Sequence, residues 1–312
     1  MYPIIFETEN KNRYVYDNGT RIVIPVNNYV PELRKDQVVL DNDEILNKIR
    51  KDYSRIPLFE AMSMETLQNK VLDNTKRYLE ENGIRQLILM ITEQCNFRCK
   101  YCIYSEMYKY SRTHSENKMR WEVAKKAIDY FFEFNLKSIK HNPTLVPYVG
   151  FYGGEALTNY DLIVQSVEYI EERYRPKFTN IIYTITTNGS LLNEINIQFM
   201  LKHNFFISIS VDGNKENHDR NRRSVFNQPT FDRVMKNIDM LDKMRIKEEK
   251  QRGELYPYNL LMTYDNDTNM KEISNQANED PDFYSRFVRL SKVRDIDTAY
   301  YEHQRTEKYI RK

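Results

Sequence analysis

From Arg85 onward, six short apolar runs alternate with longer amphipathic segments, and this alternation constrains the fold more than any other feature of the chain. The runs are Leu87 to Ile91, Tyr148 to Tyr152, Ile181 to Thr187, Phe205 to Val211, Tyr258 to Thr263 and Arg286 to Leu290. Between them lie Trp121 to Phe134, Asp161 to Tyr174, Glu194 to His203, Phe231 to Arg245 and Met270 to Asn278, all readable as helices. Strands separated by helix-length segments predict parallel βαβ units with right-handed crossovers, hence an α/β fold. An open sheet and a partly closed barrel both satisfy the pattern.

The first eighty or so residues read differently. Ile4-Ile5-Phe6, Tyr14-Val15-Tyr16 and Ile22-Val23-Ile24 are short extended pieces, and Asp17-Asn18-Gly19 is expected to supply the positive-φ residues of a tight hairpin turn. A charged helix is expected around Asp43 to Arg50. A longer one spans about Met64 to Glu81, where Leu67, Val71, Leu72 and Leu79 lie near helical spacing and Asn82-Gly83 provides a stop. The expected organisation is a leading domain over 1–84, a β-meander plus helices, and a main domain over 85–312 ending in a short polar tail.

All three cysteines fall within eight residues, Cys95-Asn96-Phe97-Arg98-Cys99-Lys100-Tyr101-Cys102, directly after the first long-domain strand. Three bunched cysteines cannot form a disulfide framework in a chain of 312 residues. Three thiolates can hold three corners of a 4Fe–4S cube and leave the fourth iron open to a small molecule. A tetrahedral zinc site would need one more ligand, and the nearest histidine is His114, on a polar stretch.

Composition excludes other roles. A formal net charge of +2 suggests neither nucleic acid nor membrane as partner. No run approaches the ~18 apolar residues of a spanning helix, and the N-terminus lacks a signal sequence, so a cytoplasmic protein is expected.

Ligand sites in parallel α/β folds sit beyond the C-terminal ends of the strands. The cysteines occupy the first such end. Gly153-Gly154-Glu155 occupies the second, where two glycines would let the backbone approach a ligand closely. Thr186-Thr187-Asn188-Gly189-Ser190 follows the third, and Ser208-Ile209-Ser210-Val211-Asp212-Gly213 the fourth. Singly, each is a weak signal, and Gly153-Gly154-Glu155 alone reads rather as a plain strand-to-helix turn. Together they describe one rim suited to a polar cofactor.

The Cys-x3-Cys-x2-Cys spacing, the aromatic Tyr101 before the last cysteine and Gly153-Gly154-Glu155 resemble the pattern of radical S-adenosylmethionine enzymes. Cys102-Ile103-Tyr104-Ser105, Thr187-Asn188-Gly189, Ser210-Val211-Asp212-Gly213 and His218-Asp219-Arg220-Asn221-Arg222 are similar to the peptide-modifying and anaerobic sulfatase-maturing subgroup, in particular to maturases that form thioether cross-links in ribosomally made peptides. The resemblance implies a partial (β/α)6 TIM-like barrel behind a small N-terminal α+β domain. It implies one 4Fe–4S cluster on Cys95, Cys99 and Cys102, and S-adenosylmethionine as cofactor, cleaved to a 5′-deoxyadenosyl radical that abstracts hydrogen from a peptide. Gly153, Gly154 and Glu155 would lie against the amino end of that cofactor and Ser210 against its ribose or carboxylate. Thr187, Asn188 and Arg222 would be further contacts, and Tyr104 would meet the adenine.

The implied partners are a precursor peptide with a leader and an external electron donor of flavodoxin or ferredoxin type. Small leading domains in peptide maturases bind leaders at a sheet edge, which Tyr2 to Val26 would suit; a structural cap on the barrel is the other reading. Two departures accompany the resemblance. Ala156 stands where proline is usual, and nothing after Cys102 supplies the auxiliary-cluster cysteines of the subgroup. The expectation is therefore either an incomplete enzyme ending at Lys312 or one that works with a single cluster. A sulfatase-type maturase and a non-catalytic peptide-binding homologue are the alternatives.

Overall fold

A computed structural model of the chain describes residues 3–31, 39–56, 58–59, 64–253, 258–279, 287–293 and 299–301. The polar tail after residue 301 and Arg286, at the start of the sixth apolar run, lie outside the described residues. The chain divides into two compact units, Met1–Tyr78 and Leu79–Lys312.

In the first unit, period-2 alternation builds a three-stranded antiparallel sheet in the order β1 (Ile4–Glu7), β2 (Arg13–Tyr16), β3 (Val23–Pro25). Ile5, Val15 and Ile24 are register partners across it and almost fully buried, forming one apolar row that packs with Leu46 and Ile49 of α1 (Asp43–Asp52). Asn42 caps that helix by accepting from the amides of Glu44 and Ile45. The β2–β3 turn departs from expectation: the positive φ falls on Arg21 (59°), not on Gly19. The Asp17 carboxylate accepts from the amides of Gly19 and Thr20 and from the Thr20 hydroxyl, holding the turn by its side chain and deferring the left-handed residue to its end.

The second unit carries the six predicted strands, all parallel and in sequential order: β4 (Gln86–Thr92), β5 (Tyr148–Gly153), β6 (Ile182–Thr187), β7 (Phe206–Ser210), β8 (Tyr258–Tyr264) and β9 (Phe287–Lys292). The connecting helices are α3 (Trp121–Ser138), α4 (Tyr160–Arg173), α5 (Glu194–Lys202), α6 (Lys215–Asn221), α7 (Phe231–Arg252) and α8 (Met270–Glu279), with α2 (Met64–Asn82) preceding β4. Gly83, at φ 76°, stops α2 by returning its amide to the Leu79 carbonyl.

One face of the sheet is apolar throughout. Leu89, Ile91, Val149, Phe151, Tyr183, Ile185, Ile207, Ile209 and Leu260 are buried in one core with side chains of α3, α4, α5 and α7. The alternate positions differ: Ile88, Met90, Tyr148 and Tyr152 are exposed, and Thr184, Thr186, Ser208, Ser210 and Thr263 are partly so. A parallel sheet buried on both faces would read apolar at every position. Here the second face is the open inner wall of a partial barrel.

Two helices exceed their sequence reading. The apolar spacing of α3 ends at Phe134, yet the helix continues because buried Asn135 pairs its amide with both backbone groups of Ile84 (2.7 and 2.9 Å). Helix α7 runs past Arg245, carried by the Arg245–Glu249 pair at one-turn spacing, to a left-handed Gly253 cap. No helix among the described residues is long and apolar enough to cross a membrane.

Candidate active site

The cysteine loop leaves β4 at Thr92, whose hydroxyl accepts the Gln94 amide and starts the turn. Its backbone then pairs antiparallel with the segment after α6: the Arg98 amide donates to the Arg223 carbonyl (2.7 Å), Lys100 to Asn221 (3.0 Å) and Val225 to Asn96 (3.0 Å), with Phe97 opposite Ser224. Phe97 is buried and anchors the loop in the core. Asn96 ties it to the β6 turn, accepting from the Asn188 amide nitrogen (2.9 Å) and donating to Ser190 Oγ (2.8 Å). The loop is thus held on two sides by elements distant in sequence.

The second strand end locks onto the same loop. Gly154 and Glu155 donate their amides to the carbonyls of Thr92 (2.9 Å) and Gln94 (2.8 Å). A Cβ at Gly153 would meet Thr92 O at 2.3 Å, and one at Gly154 would meet Gln94 O at 2.3 Å. Both glycines are therefore required for the close approach of this strand end to the backbone of Thr92 and Gln94, and both also line the cavity. Glu155 is buried, and its carboxylate accepts from Thr187 Oγ1 (2.7 Å), the Asn188 amide (2.7 Å) and the Leu157 amide (3.1 Å). Burial pushes its pKa up, while these donors and Arg222 pull it back.

Cys95, Cys99, Cys102, Tyr104, Gly153, Gly154, Glu155, Thr187, Asn188, Ser210 and Arg222 all line one cavity of about 360 Å³ at the C-terminal ends of the strands. These are the residues that the sequence reading expected at the cluster and the cofactor. Sequence reasoning missed Tyr152 and, from β8 and β9, Thr263, Arg289 and Ser291, whose only signal was strand alternation. It also left His114 on a polar stretch, whereas the ring lies on the cavity wall with Nε2 3.8 Å from Cys102 Sγ. Tyr104 is covered by the Arg112 guanidinium, 3.8 Å from the ring centroid.

Electrostatically the cavity is dominated by Arg222. It is almost fully buried, donates to the Tyr101 hydroxyl, and lies 3.7 Å from Asp212, which also accepts from Tyr101 and from the Thr263 amide (3.0 Å). Its Nε has no hydrogen-bond partner among the described residues. Burial pushes the Cys95 thiol up to about 12 and that of Cys99 to about 11, the latter against the pull of Arg222; Cys102 moves in the same direction. The sulfurs of Cys95 and Cys102 accept the amides of Phe97 and Tyr104, each at 3.4 Å.

Residues 89–272 match the radical SAM superfamily, more than half of the chain. The chain belongs to that superfamily. Its cofactors are those of the family, a 4Fe–4S cluster and S-adenosylmethionine. The cysteine-type anaerobic sulfatase-maturating enzyme of Clostridium novyi is 28% identical over 166 residues, 53% of this chain and 42% of that protein. The radical SAM cyclopropyl synthase TigE of Paramaledivibacter caminithermalis is 25% identical over 214 residues, 65% and 43% of the two chains. The chain thus spans less than half the length of these curated relatives. The solved structure of native anSMEcpe with bound AdoMet and Kp18Cys peptide superposes with a TM-score of 0.51 at 22% identity, over 67% of this chain and 51% of that one, and shares its fold.

The residues present fit the family's cofactors. Among the described residues no three His, Cys, Asp or Glu side chains converge on a single-ion site. The three thiols instead face one cavity, as a cluster requires when each thiolate takes its own iron. Backbone amides already point at two of the sulfurs, and the buried Nε of Arg222, without a hydrogen-bond partner among the described residues, is a donor still open to an acceptor such as a cluster sulfur or a carboxylate.

Proposed function

We propose that this radical SAM protein generates a 5′-deoxyadenosyl radical and uses it to abstract hydrogen from a ribosomally made peptide during its maturation, as in cross-link formation. The observation that carries this reading is the convergence of four strand-end motifs, the cysteine tripod among them, on one cavity beside a buried arginine whose Nε has no hydrogen-bond partner among the described residues. When bound, the cluster and S-adenosylmethionine supply an electron and a cleavable sulfonium C–S bond.

The chain's own residues hold and position. Cys95, Cys99 and Cys102 are the proposed cluster ligands; Tyr104, Gly153, Gly154, Glu155, Thr187, Asn188, Ser210 and Arg222 form the proposed cofactor site. Within it the residues divide the work. The Glu155 carboxylate joins the second strand end to the third through Thr187 and Asn188, and Asn188 ties them to Asn96 of the cysteine loop, while Arg222 offers a charge toward the tripod. A polypeptide substrate is supported by the names of the sulfatase-maturating relatives, a sulfatase being itself a polypeptide. Those same names support the second reading, a maturase acting on a protein Cys or Ser.

Anaerobic reconstitution with iron and sulfide, followed by S-adenosylmethionine and dithionite, tests the proposal. Iron uptake with visible thiolate-to-iron absorption and 5′-deoxyadenosine release are expected, and Cys99→Ala should abolish both. Iron bound without nucleoside release would leave a peptide-binding protein; no iron uptake would end the enzyme reading.

A further inference from the structure

Between Cys102 and α3 the chain makes a mostly polar excursion over residues 103–120, and on its way back it brings one ring to the cysteines. The returning stretch is stitched to the end of β4. Ile91 accepts the Met119 amide (2.9 Å), Thr92 and Lys118 form an antiparallel bridge, and Glu93 donates its amide to the Asn117 carbonyl (2.9 Å). The Glu93 carboxylate accepts from Ser115 Oγ (2.6 Å) and Asn117 Nδ2 (3.2 Å), which fixes the chain right after His114. The His114 ring stands edge to face with Tyr104, centroids 6.2 Å apart and planes at 80°, and the Arg112 guanidinium that covers Tyr104 lies 3.5 Å from Glu93. A local frame thus holds a half-buried imidazole on the cavity wall.

What the frame produces is a contact with sulfur. His114 Nε2 lies 3.8 Å from Cys102 Sγ, and among the described residues it is the only side-chain nitrogen within hydrogen-bonding reach of a cysteine sulfur. The Tyr104 amide meets the same sulfur at 3.4 Å, so Cys102 faces a backbone donor and a ring nitrogen together. A thiolate bound to iron has no hydrogen to give. Across this contact the imidazole must then be the donor, through Nε2–H, which both the neutral Nε2–H tautomer and the imidazolium carry.

Hydrogen bonds to the sulfurs are among the factors that set the potential of an iron–sulfur cluster. An N–H dipole aimed at a ligand sulfur favours the reduced state, because the added electron increases the negative charge that the sulfurs share. We infer that His114 is a positioning residue of the cluster, donating Nε2–H to the Cys102 thiolate and so raising the potential at which the cluster accepts its electron. The inference rests on Cys95, Cys99 and Cys102 holding that cluster. The step it governs moves one electron from the reductant into the cluster, with no bond made or broken at His114 and no proton transferred.

Two substitutions separate the donor from the ring. His114→Phe keeps an aromatic ring beside Tyr104 and removes the N–H, whereas His114→Gln offers an amide N–H at about the same reach. Each protein is reconstituted anaerobically, checked for wild-type iron content and visible spectrum, and titrated with dithionite while the EPR signal of the reduced cluster is followed, with neither peptide nor S-adenosylmethionine present. For His114→Phe the equilibrium constant for reduction should fall about tenfold, a midpoint lower by about 59 mV for one electron, and His114→Gln should recover most of that loss. Wild type grown on isotopically labelled histidine should show a hyperfine coupling from a histidine nitrogen to the reduced cluster. An unchanged midpoint in His114→Phe overturns the proposal, and so does an equal fall in both variants, which assigns the effect to packing of the ring. Should neither variant fold, the labelled wild type decides, and absence of the histidine coupling overturns the proposal there. A wild type that takes up no iron overturns the cluster assignment itself, a distinct result.

Discussion

Gly154 shows how a single missing Cβ can serve a cavity it does not fill. Its Cα faces the Gln94 carbonyl so closely that an added methyl would sit 2.3 Å from that oxygen, which is backbone and cannot swing aside. Gly154→Ala must therefore separate β5 from the cysteine loop, breaking the amide bonds of Gly154 and Glu155 to it. The expected cost is about 2 kcal/mol or more, on the scale of overpacking a tight core site. The expected signature is a lowered urea midpoint together with weaker iron retention during reconstitution. A variant with wild-type stability and iron content would show that the contact yields freely. Glu155 makes the same point with a polar group. The sequence shows a glutamate at a strand end, while the fold commits its carboxylate to three donors.

At the scale of elements, α6 and the segment after it matter most. The helix was invisible to apolar spacing because its residues, Lys215-Glu216-Asn217-His218-Asp219-Arg220-Asn221, are all polar. Tertiary bonds make it. Asn214 caps it from the β7 turn, Arg220 forms a two-pronged pair with Asp265 (2.7 and 2.8 Å), and His218 is fully buried between β7 and Thr230. His218 Nδ1 accepts the Asp212 amide (3.4 Å), leaving Nε2 to donate to Thr230 Oγ1 (3.1 Å), so the ring is held neutral.

Burial, reinforced by Arg222, lowers its pKa well below the ordinary value of about 6.5. The native state then binds fewer protons than the unfolded chain. Stability is full above about pH 7 and is lost as pH falls below about 6.5 toward the folded pKa. Burial shifts His114 and His203 in the same direction, so wild type sums three contributions. Urea unfolding between pH 7.5 and 5.5 should show a shallower decline for His218→Gln than for wild type. Equal slopes would remove His218 from this role.

The whole molecule consists of two units, each with its own apolar core. Among the described residues the smaller has β3 at the edge of its sheet, with Val23 49% exposed on it. An extended peptide can add to such an edge through backbone hydrogen bonds while its side chains vary. If the unit recognises a leader, its deletion should lower leader-peptide affinity at least tenfold in anisotropy titrations while dithionite-driven nucleoside release persists. Unchanged affinity would assign the unit a structural role. The larger unit keeps its sheet apolar on the helix side and lines the cavity with residues from the C-terminal ends of its strands.

Much of this was legible in the residues. Local properties determine strand and helix formation, so the six runs, the helices between them and their parallel order followed from periodicity. The cysteine spacing and strand-end turns named the residues that line the cavity, because strand ends in a parallel sheet lie on one rim. The lengths of α3 and α7, the polar helix α6 and the left-handed Arg21 were not legible, since each depends on a partner far away or on a side chain bonding its own turn. The sequence alone named many of the groups that meet at the cavity. Only the tertiary structure shows what each one touches: the glycines approach the backbone of Thr92 and Gln94, Glu155 accepts from Thr187 and Asn188, and Arg222 keeps a buried donor without a partner among the described residues. Hydrogen-bond allocation is a property of three-dimensional neighbours, and no spacing along the chain encodes it.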